Sequence, residues 1–258
     1  SVVPFAWALH THGWTPAFGA LAVVGVATTV AAWAGVRDRP PGTPPPPRPA
    51  PSAGLGRTVM SAGTWLGFFS HNLGGAGPIM FALMWGFPYL VRAQGLSEAQ
   101  ASGVLAVCMV TQMVGGPLVG MVSSRMSARR AQVVLGYSAL CLVGWLMLIV
   151  PTTRQPLWVI IVALVAVFVG GPVSLLGLEL AGEYASHGRK GSATGVANTG
   201  GFVGALAVMF AVGVVLDLRS STPDLSDYRV ALVSMLVMWA VGTLGVALTW
   251  RRARHLQL

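Results

Sequence analysis

The sequence predicts an all-α membrane protein with seven transmembrane helices. Three observations lead there. Only 9% of the 258 residues carry a charge, against about 25% in ordinary soluble domains. Mean hydropathy is +0.70. The apolar residues gather into seven runs long enough to cross a ~30 Å hydrocarbon core, which takes ~20 residues of helix. So few charges cannot cover a water-facing surface. A bilayer removes that demand, provided the backbone bonds to itself as it does in helices.

The first run extends from about Trp14 to Val36, with Thr15 placed to cap it and Pro16 suited to its first turn. The second, Ala62 to Val91, is long and carries Gly74, Gly75, Gly77 and Pro78, which are expected to interrupt it. The third, Glu98 to Ser123, opens on Ser97 and Gln100, the spacing of a capping box. The fourth, Ala131 to Val150, is closed by Pro151. The fifth starts after Pro156 and is expected to continue to Leu180. The sixth covers Ser192 to Leu216 and the seventh Arg229 to Trp250.

Between the first two runs, eight of the twelve residues from Pro40 to Pro51 are proline. Such a segment favours polyproline II at ~3.1 Å per residue, a semi-rigid spacer of ~37 Å. The chain thus divides into 1–36, a linker 37–57, and 58–258.

Orientation follows from the basic residues. Loops on one side hold Arg37, Arg39, Arg48, Arg57, Arg125, Arg129, Arg130, Arg189, Lys190, Arg251, Arg252 and Arg254; the other side holds Arg92, Arg154, Arg219 and Arg229. The basic side is expected to be cytoplasmic and to carry the C-terminus, in an inner cell membrane. Trp14, Trp158 and Tyr228 near outer ends, and Trp33, Trp65 and Trp250 near inner ends, fit the interfacial belt.

Several function classes are disfavoured. The net charge of +9 sits in short interhelical clusters instead of a stripe, so nucleic acid is not an expected partner. Cys108 and Cys141 lie in apolar runs with no metal-ligand or disulfide spacing. No Gly-Lys-Ser/Thr phosphate loop is present, which argues against an ATP-driven pump. No cofactor and no enzymatic chemistry are expected. Residues 1–10 lack the basic start and small-residue cleavage site of a signal peptide and read as the tail of an apolar helix.

The loop after the third run reads Gly120-Met-Val-Ser-Ser124-Arg125-Met-Ser127-Ala-Arg129-Arg130. It resembles the loop signature of the major facilitator superfamily: Gly, three residues, Asp, a basic residue, any residue, Gly, any residue, two basic residues. Gly120, Arg125, Arg129 and Arg130 match, while Ser124 replaces the Asp and Ser127 the Gly. This degenerate form is similar to the family's second copy, between helices 8 and 9. Residues 190–204 resemble the start of helix 11, residues 81–97 the end of helix 7 and the turn into helix 8, and Gly13-Trp14 with Phe18 the entry to helix 6. The resemblance implies that the chain holds family helices 6 to 12: the last helix of the N-terminal bundle, the central linker, and the C-terminal six-helix bundle. It further implies alternating-access transport of a small solute, with protons as the expected coupling ion. The remaining N-terminal helices would be a required partner, beside the lipid bilayer.

Polar residues at membrane depth are the candidate site. His71, Asn72, Gln112, Asn198 and Thr199 fall on helices that line the cavity in the resemblance and are candidate substrate contacts; interhelical hydrogen bonding is the other reading of each. Glu179 and Glu183, one turn apart, share a helix face. Glu179 is the candidate proton-coupling residue, on the expectation that desolvation raises its pKa, while Glu183 is expected to face His187, Arg189 and Lys190. Gly120, Arg125, Arg129 and Arg130 form the candidate gating loop. Rival readings are a seven-helix receptor and a structural or regulatory membrane subunit. A retinal protein is disfavoured because the lone lysine, Lys190, lies in a loop.

Overall fold

The structure, a computed structural model, describes residues 8–9, 11–36, 42, 54–185 and 188–255. The proline-rich spacer, apart from Gly42, and Arg37, Arg39, Arg48 and His187 lie outside the described residues. The helices are α1 (Trp14–Gly35), α2 (Leu55–Val59), α3 (Ala62–Met80), α4 (Glu98–Arg125), α5 (Arg130–Ile149), α6 (Leu157–Phe168), α7 (Gly170–Glu183), α8 (Lys190–Arg219) and α9 (Leu225–His255). Among the described residues there is no strand. Counting α3 with its extension to Ala93, and α6 with α7, seven helical segments are long and apolar enough to cross a membrane.

The chain divides into two compact units, 1–48 and 49–258. In the first, α1 begins at Gly13, whose φ of 78° needs glycine. Thr15 therefore lies inside the helix and does not cap it, while Pro16 keeps its place in the first turn. Thr28 and Thr29 donate their hydroxyls to Val24 and Gly25 carbonyls one turn back, at 2.9 and 2.8 Å. That leaves no hydroxyl hydrogen to be solvated in an apolar setting.

In the second unit α3 packs against α7, α8 and α9, and glycine permits the closeness. A Cβ on Gly67 would lie 2.5 Å from the Gly177 carbonyl, and one on Gly74 would lie 2.5 Å from the Gly170 carbonyl. The two pairs are seven residues apart on both helices, the repeat that keeps antiparallel helices in register over two turns. On the α8 side Gly200 meets the Phe68 backbone and Gly204 meets Asn72 and Ala76; on the α9 side Gly242 meets Leu73 and Gly245 meets Phe69. With lipid as apolar as the side chains, such close packing supplies the attraction between helices.

Two expectations about helix breaks are corrected. The glycines and Pro78 do not break α3, which continues as α-helix to Met80. The glycines mark neighbours, not a break. The irregularity comes later, where i→i−5 bonds widen the helix over Phe81–Trp85 and Tyr89–Ala93, on either side of Gly86–Pro88. Pro88 has no N–H for the Met84 carbonyl, and π-type turns absorb that loss. Trp85 ties the widened stretch to α8 by donating to the Met209 carbonyl at 3.0 Å. Conversely, the fifth run is not one helix. Pro172 cannot donate to the carbonyl four residues back and its ring crowds it. That residue is Phe168, where α6 ends. Tyr137 of α5 donates to the Val167 carbonyl at 2.8 Å beside the break.

The half of the bundle away from the α4–α5 loop is filled by Phe81, whose ring lies 6.0, 6.1 and 6.4 Å from those of Tyr89, Phe168 and Trp145. At that end Gln94 donates to the Tyr89 hydroxyl at 2.7 Å and accepts from the Gln155 N–H at 2.9 Å. Ser97 and Gln100 form the expected capping box on α4. Asp224 accepts the N–H groups of Ser226 and Asp227 at the start of α9, at 2.8 and 3.2 Å. The Ser226 side chain and these backbone donors hold its carboxyl below the ordinary carboxylate value.

Gly67→Leu is expected to lower stability by about 1–3 kcal/mol, because a backbone carbonyl cannot move aside. Gly116→Ala, with open space around it, is expected to leave the thermal midpoint unchanged or raise it slightly. Scanning fluorimetry in detergent micelles checks the pair.

Candidate functional site

The predicted site residues separate into two groups. The first lies within the bundle where α3 meets the α6–α7 break. His71 is buried, and its Nδ1 lies 3.1 Å from the Ser174 carbonyl of α7. A carbonyl only accepts, so Nδ1 carries the hydrogen and Nε2 is left as an acceptor. The imidazole edge faces Gly201 of α8. Asn72 donates to the Gly200 carbonyl of α8 at 3.1 Å and to Met238 Sδ of α9 at 3.5 Å. Thus His71 binds α3 to α7 and Asn72 binds it to α8 and α9. Gln112 reaches from α4 to the backbone of Gly171, at the break. The Asn72 Oδ1 acceptor and the Trp145 Nε1 donor are buried without protein partners. Both residues line one void of about 10 Å³, the scale of a single water.

Asn198 and Thr199 do not join this group. Both are exposed on α8, and the Thr199 hydroxyl donates to the Val196 carbonyl at 2.8 Å. They lie beside Ala197 and Gly200, which are buried, so the same turn of α8 carries a packed face and an open polar one.

The second group lies at the opposite end of α7, level with the loop between α4 and α5. Arg130, the last basic residue of the signature, is only 15% exposed in its side chain. Its Nε lies 2.9 Å from Glu179 Oε2, and its Nη1 pairs with Glu183 Oε1. Ser123, at the end of α4, accepts from Arg130 Nε at 2.8 Å and donates to Glu179 at 2.7 Å. One guanidinium therefore fastens three elements. The fork suits it: a planar cation offers several donors to two carboxylates at once.

This arrangement corrects two sequence expectations. Glu179 is 46% exposed and ion-paired, not desolvated, because α7 ends one turn beyond it and a cation reaches it from α5. Glu183 takes Arg130 as an ion-pair partner, one that the sequence, which pointed it toward His187, Arg189 and Lys190, did not offer; the Lys190 side chain lies against the neighbouring Gly182. Arg125 and Arg129, by contrast, are exposed beside a shallow hollow over residues 125–129, and nothing lies within 4 Å of a Cβ placed on Gly120. Ser124, in the position of the signature's Asp, spends its hydroxyl on the Met121 carbonyl of its own helix at 2.9 Å. The acid that the loop lacks is supplied by α7.

Sequence reading missed Ser123, Tyr137 and Ser174. Ser123 adjoins the signature, yet nothing in its spacing marks it as the bridging hydroxyl. Tyr137 and Ser174 act through contacts remote in sequence.

The family model of the Major Facilitator Superfamily matches residues 3–209. The chain belongs to the major facilitator superfamily. No curated protein and no solved structure is detectably similar to it. Membership makes this major facilitator chain a multi-pass membrane protein of a family that transports small solutes.

A double-mutant cycle over Arg130→Gln and Glu179→Gln is expected to show a coupling of about 0.5–1 kcal/mol, modest because both carboxylates are half exposed. Urea or thermal unfolding of the four variants in micelles measures it.

Proposed function

We propose that the chain is the C-terminal portion of a secondary transporter that moves a small solute by alternating access, driven by protons. The observation that carries the reading is the Arg130 cluster. Within a chain matched to the family over residues 3–209, Arg130, one of the four residues that match the loop signature, clamps α7 to α4 and α5. Alternating access requires contacts at one end of the bundle that open and close as a unit. An interhelical ion cluster does this, since its elements separate when a charge is removed. Glu179 is the proton site in this reading. Its protonation takes one carboxylate from the guanidinium and leaves Glu183 to hold it.

The helix order supports the assignment to family helices 6 to 12. His71, Gln112, Asn198 and Thr199 then fall on the cavity side, with Asn72 behind them as a fastener between α3, α8 and α9. The C-terminus is cytoplasmic in this reading, which the arginine distribution supports, and the membrane is the inner cell membrane. The first bundle supplies the other wall of the cavity, so the 258-residue chain reconstituted alone gives no flux above that of empty liposomes.

The test uses proteoliposomes of the protein completed by its first bundle, with a solute found by thermal-shift screening. An imposed pH gradient is expected to drive uptake. Glu179→Gln is expected to abolish the gradient-driven component and keep solute exchange between equal pools. Unchanged gradient-driven uptake in Glu179→Gln contradicts proton coupling at this residue.

A further inference from the structure

A largely apolar recess with a basic edge lies apart from the Arg130 cluster, where the first turn of α3 meets the last turns of α9. It encloses about 720 Å³, and its walls include Ser61, Ala62, Trp65, Phe69, Arg252 and His255. Thr249, Arg252 and His255 recur every three residues, so they share one face of α9.

The charge balance of this recess is one-sided. Among the described residues no carboxylate lines it, and neither Arg252 nor His255 takes part in an ion pair. The third basic side chain of the last turn, Arg254, is placed differently: its guanidinium stacks over Trp250, 4.4 Å from the ring centroid. The positive end of the 19-residue helix α3 faces the same hollow through Ser61 and Ala62. Compensating the α9 dipole accounts for basic residues at its C-terminus, but not for their convergence on the positive end of another helix. A guanidinium turned toward the N-terminus of another helix is relieved by an anion between them.

The hydroxyls are already committed. Ser61 donates to the Thr64 hydroxyl at 2.8 Å while capping α3, and Thr249 donates to the Gly245 carbonyl at 2.6 Å. The remaining side-chain hydrogen-bond donors in the lining are a guanidinium, an imidazole and the Trp65 indole N–H, a set suited to a phosphate oxygen. The floor is apolar. Trp65 lies 4.9 and 5.8 Å from the rings of Phe68 and Phe69, and Phe69 rests on Gly245. Depth is set by the helices: Ser61 precedes one membrane span and Arg252 lies in the last turn of another, the level of headgroups and aromatic belts.

We propose that this recess holds the phosphate of an anionic phospholipid between Arg252 and His255, with the upper acyl chain against Trp65 and Phe69. Phosphate is the chemistry a guanidinium and a neighbouring imidazole donor read, and the aromatic floor selects the lipid over the free ion. A zwitterionic headgroup is disfavoured because its ammonium would enter a cationic hollow. Basic pockets between helices at a membrane face bind anionic headgroups by the same balance.

Native mass spectrometry of the full chain in a mild detergent tests the proposal, titrating phosphatidylglycerol, phosphatidylcholine and inorganic phosphate separately. One phosphatidylglycerol per chain is expected to be retained. Its apparent affinity is expected to fall about tenfold or more in Arg252→Gln/His255→Gln. Arg125→Gln/Arg129→Gln, which removes two charges from another basic patch at the same end, is expected to retain it. Matching thermal midpoints show that all variants are folded; if the recess double variant is not, His255→Gln alone is expected to show a smaller loss in the same direction. Equal retention by the recess variant, equal loss in the Arg125/Arg129 variant, or equal binding of phosphatidylcholine overturns the proposal. Displacement of the lipid by an equimolar amount of inorganic phosphate identifies a free-anion site and overturns the lipid assignment.

Discussion

Backbone-to-backbone packing of α3 is the constraint on which the rest of the bundle depends. This helix touches α7, α8 and α9 at distances where a Cβ at Gly67, Gly74 or Gly200 would run into a backbone carbonyl. In water such a helix would be held by apolar burial. In lipid that drive is absent, and the closeness of the contact replaces it through dispersion and short hydrogen bonds. Closeness also fixes rotation. Once Gly67 faces Gly177 and Gly74 faces Gly170, the neighbouring positions of α3 have no freedom to turn. His71 must then point at α7 and α8, and Asn72 at α8 and α9. The polar pair is a consequence of the glycine register.

The same constraint explains how two distant regions can act together. α7 carries both the backbone that α3 grips and the carboxylates that Arg130 holds. It is also separated from α6 by the Pro172 break, so it is a short, separately anchored rod. In the transport mechanism proposed above, a change at Glu179 acts on the element whose Ser174 carbonyl bonds His71. The route is a single helix. It needs only that α7 move as a body at the Phe168–Gly170 joint, where the helical ladder is already interrupted.

Much of this was legible in the sequence. The seven spans follow from apolar run length, the α4 cap from Ser97 and Gln100, and the family from the loop residues around Gly120 and Arg130. Gly200 and Gly204 of α8 are packing positions. The glycines of α3 were read as a break, because glycine and proline have two meanings in a helix and a single sequence does not distinguish them. Gly74 and Gly77 tolerate the helix and answer to neighbours, whereas Pro172 ends one. The choice depends on whether another backbone lies alongside, which is tertiary information. The surroundings of Glu179 were not legible for a related reason. Its i, i+4 relation to Glu183 was visible, but its partner Arg130 lies 49 positions away on another helix. Spacing within one helix does not reveal that pairing.

The register of α3 against α8 is therefore the point at which to test the account. In a background with Cys108 and Cys141 replaced by alanine, Ala76→Cys and Gly204→Cys put two thiols on facing positions, since a Cβ on Gly204 would lie 2.9 Å from that of Ala76. Leu206→Cys replaces Gly204→Cys as the control, because Leu206 is 66% exposed on the far side of α8. A protease site in the loop between α3 and α4 makes each cross-link visible on a non-reducing gel of native membranes. The account predicts rapid, near-complete cross-linking of the Ala76/Gly204 pair under mild oxidation and none for Ala76/Leu206. Equal cross-linking of both pairs, or of the control alone, would contradict it.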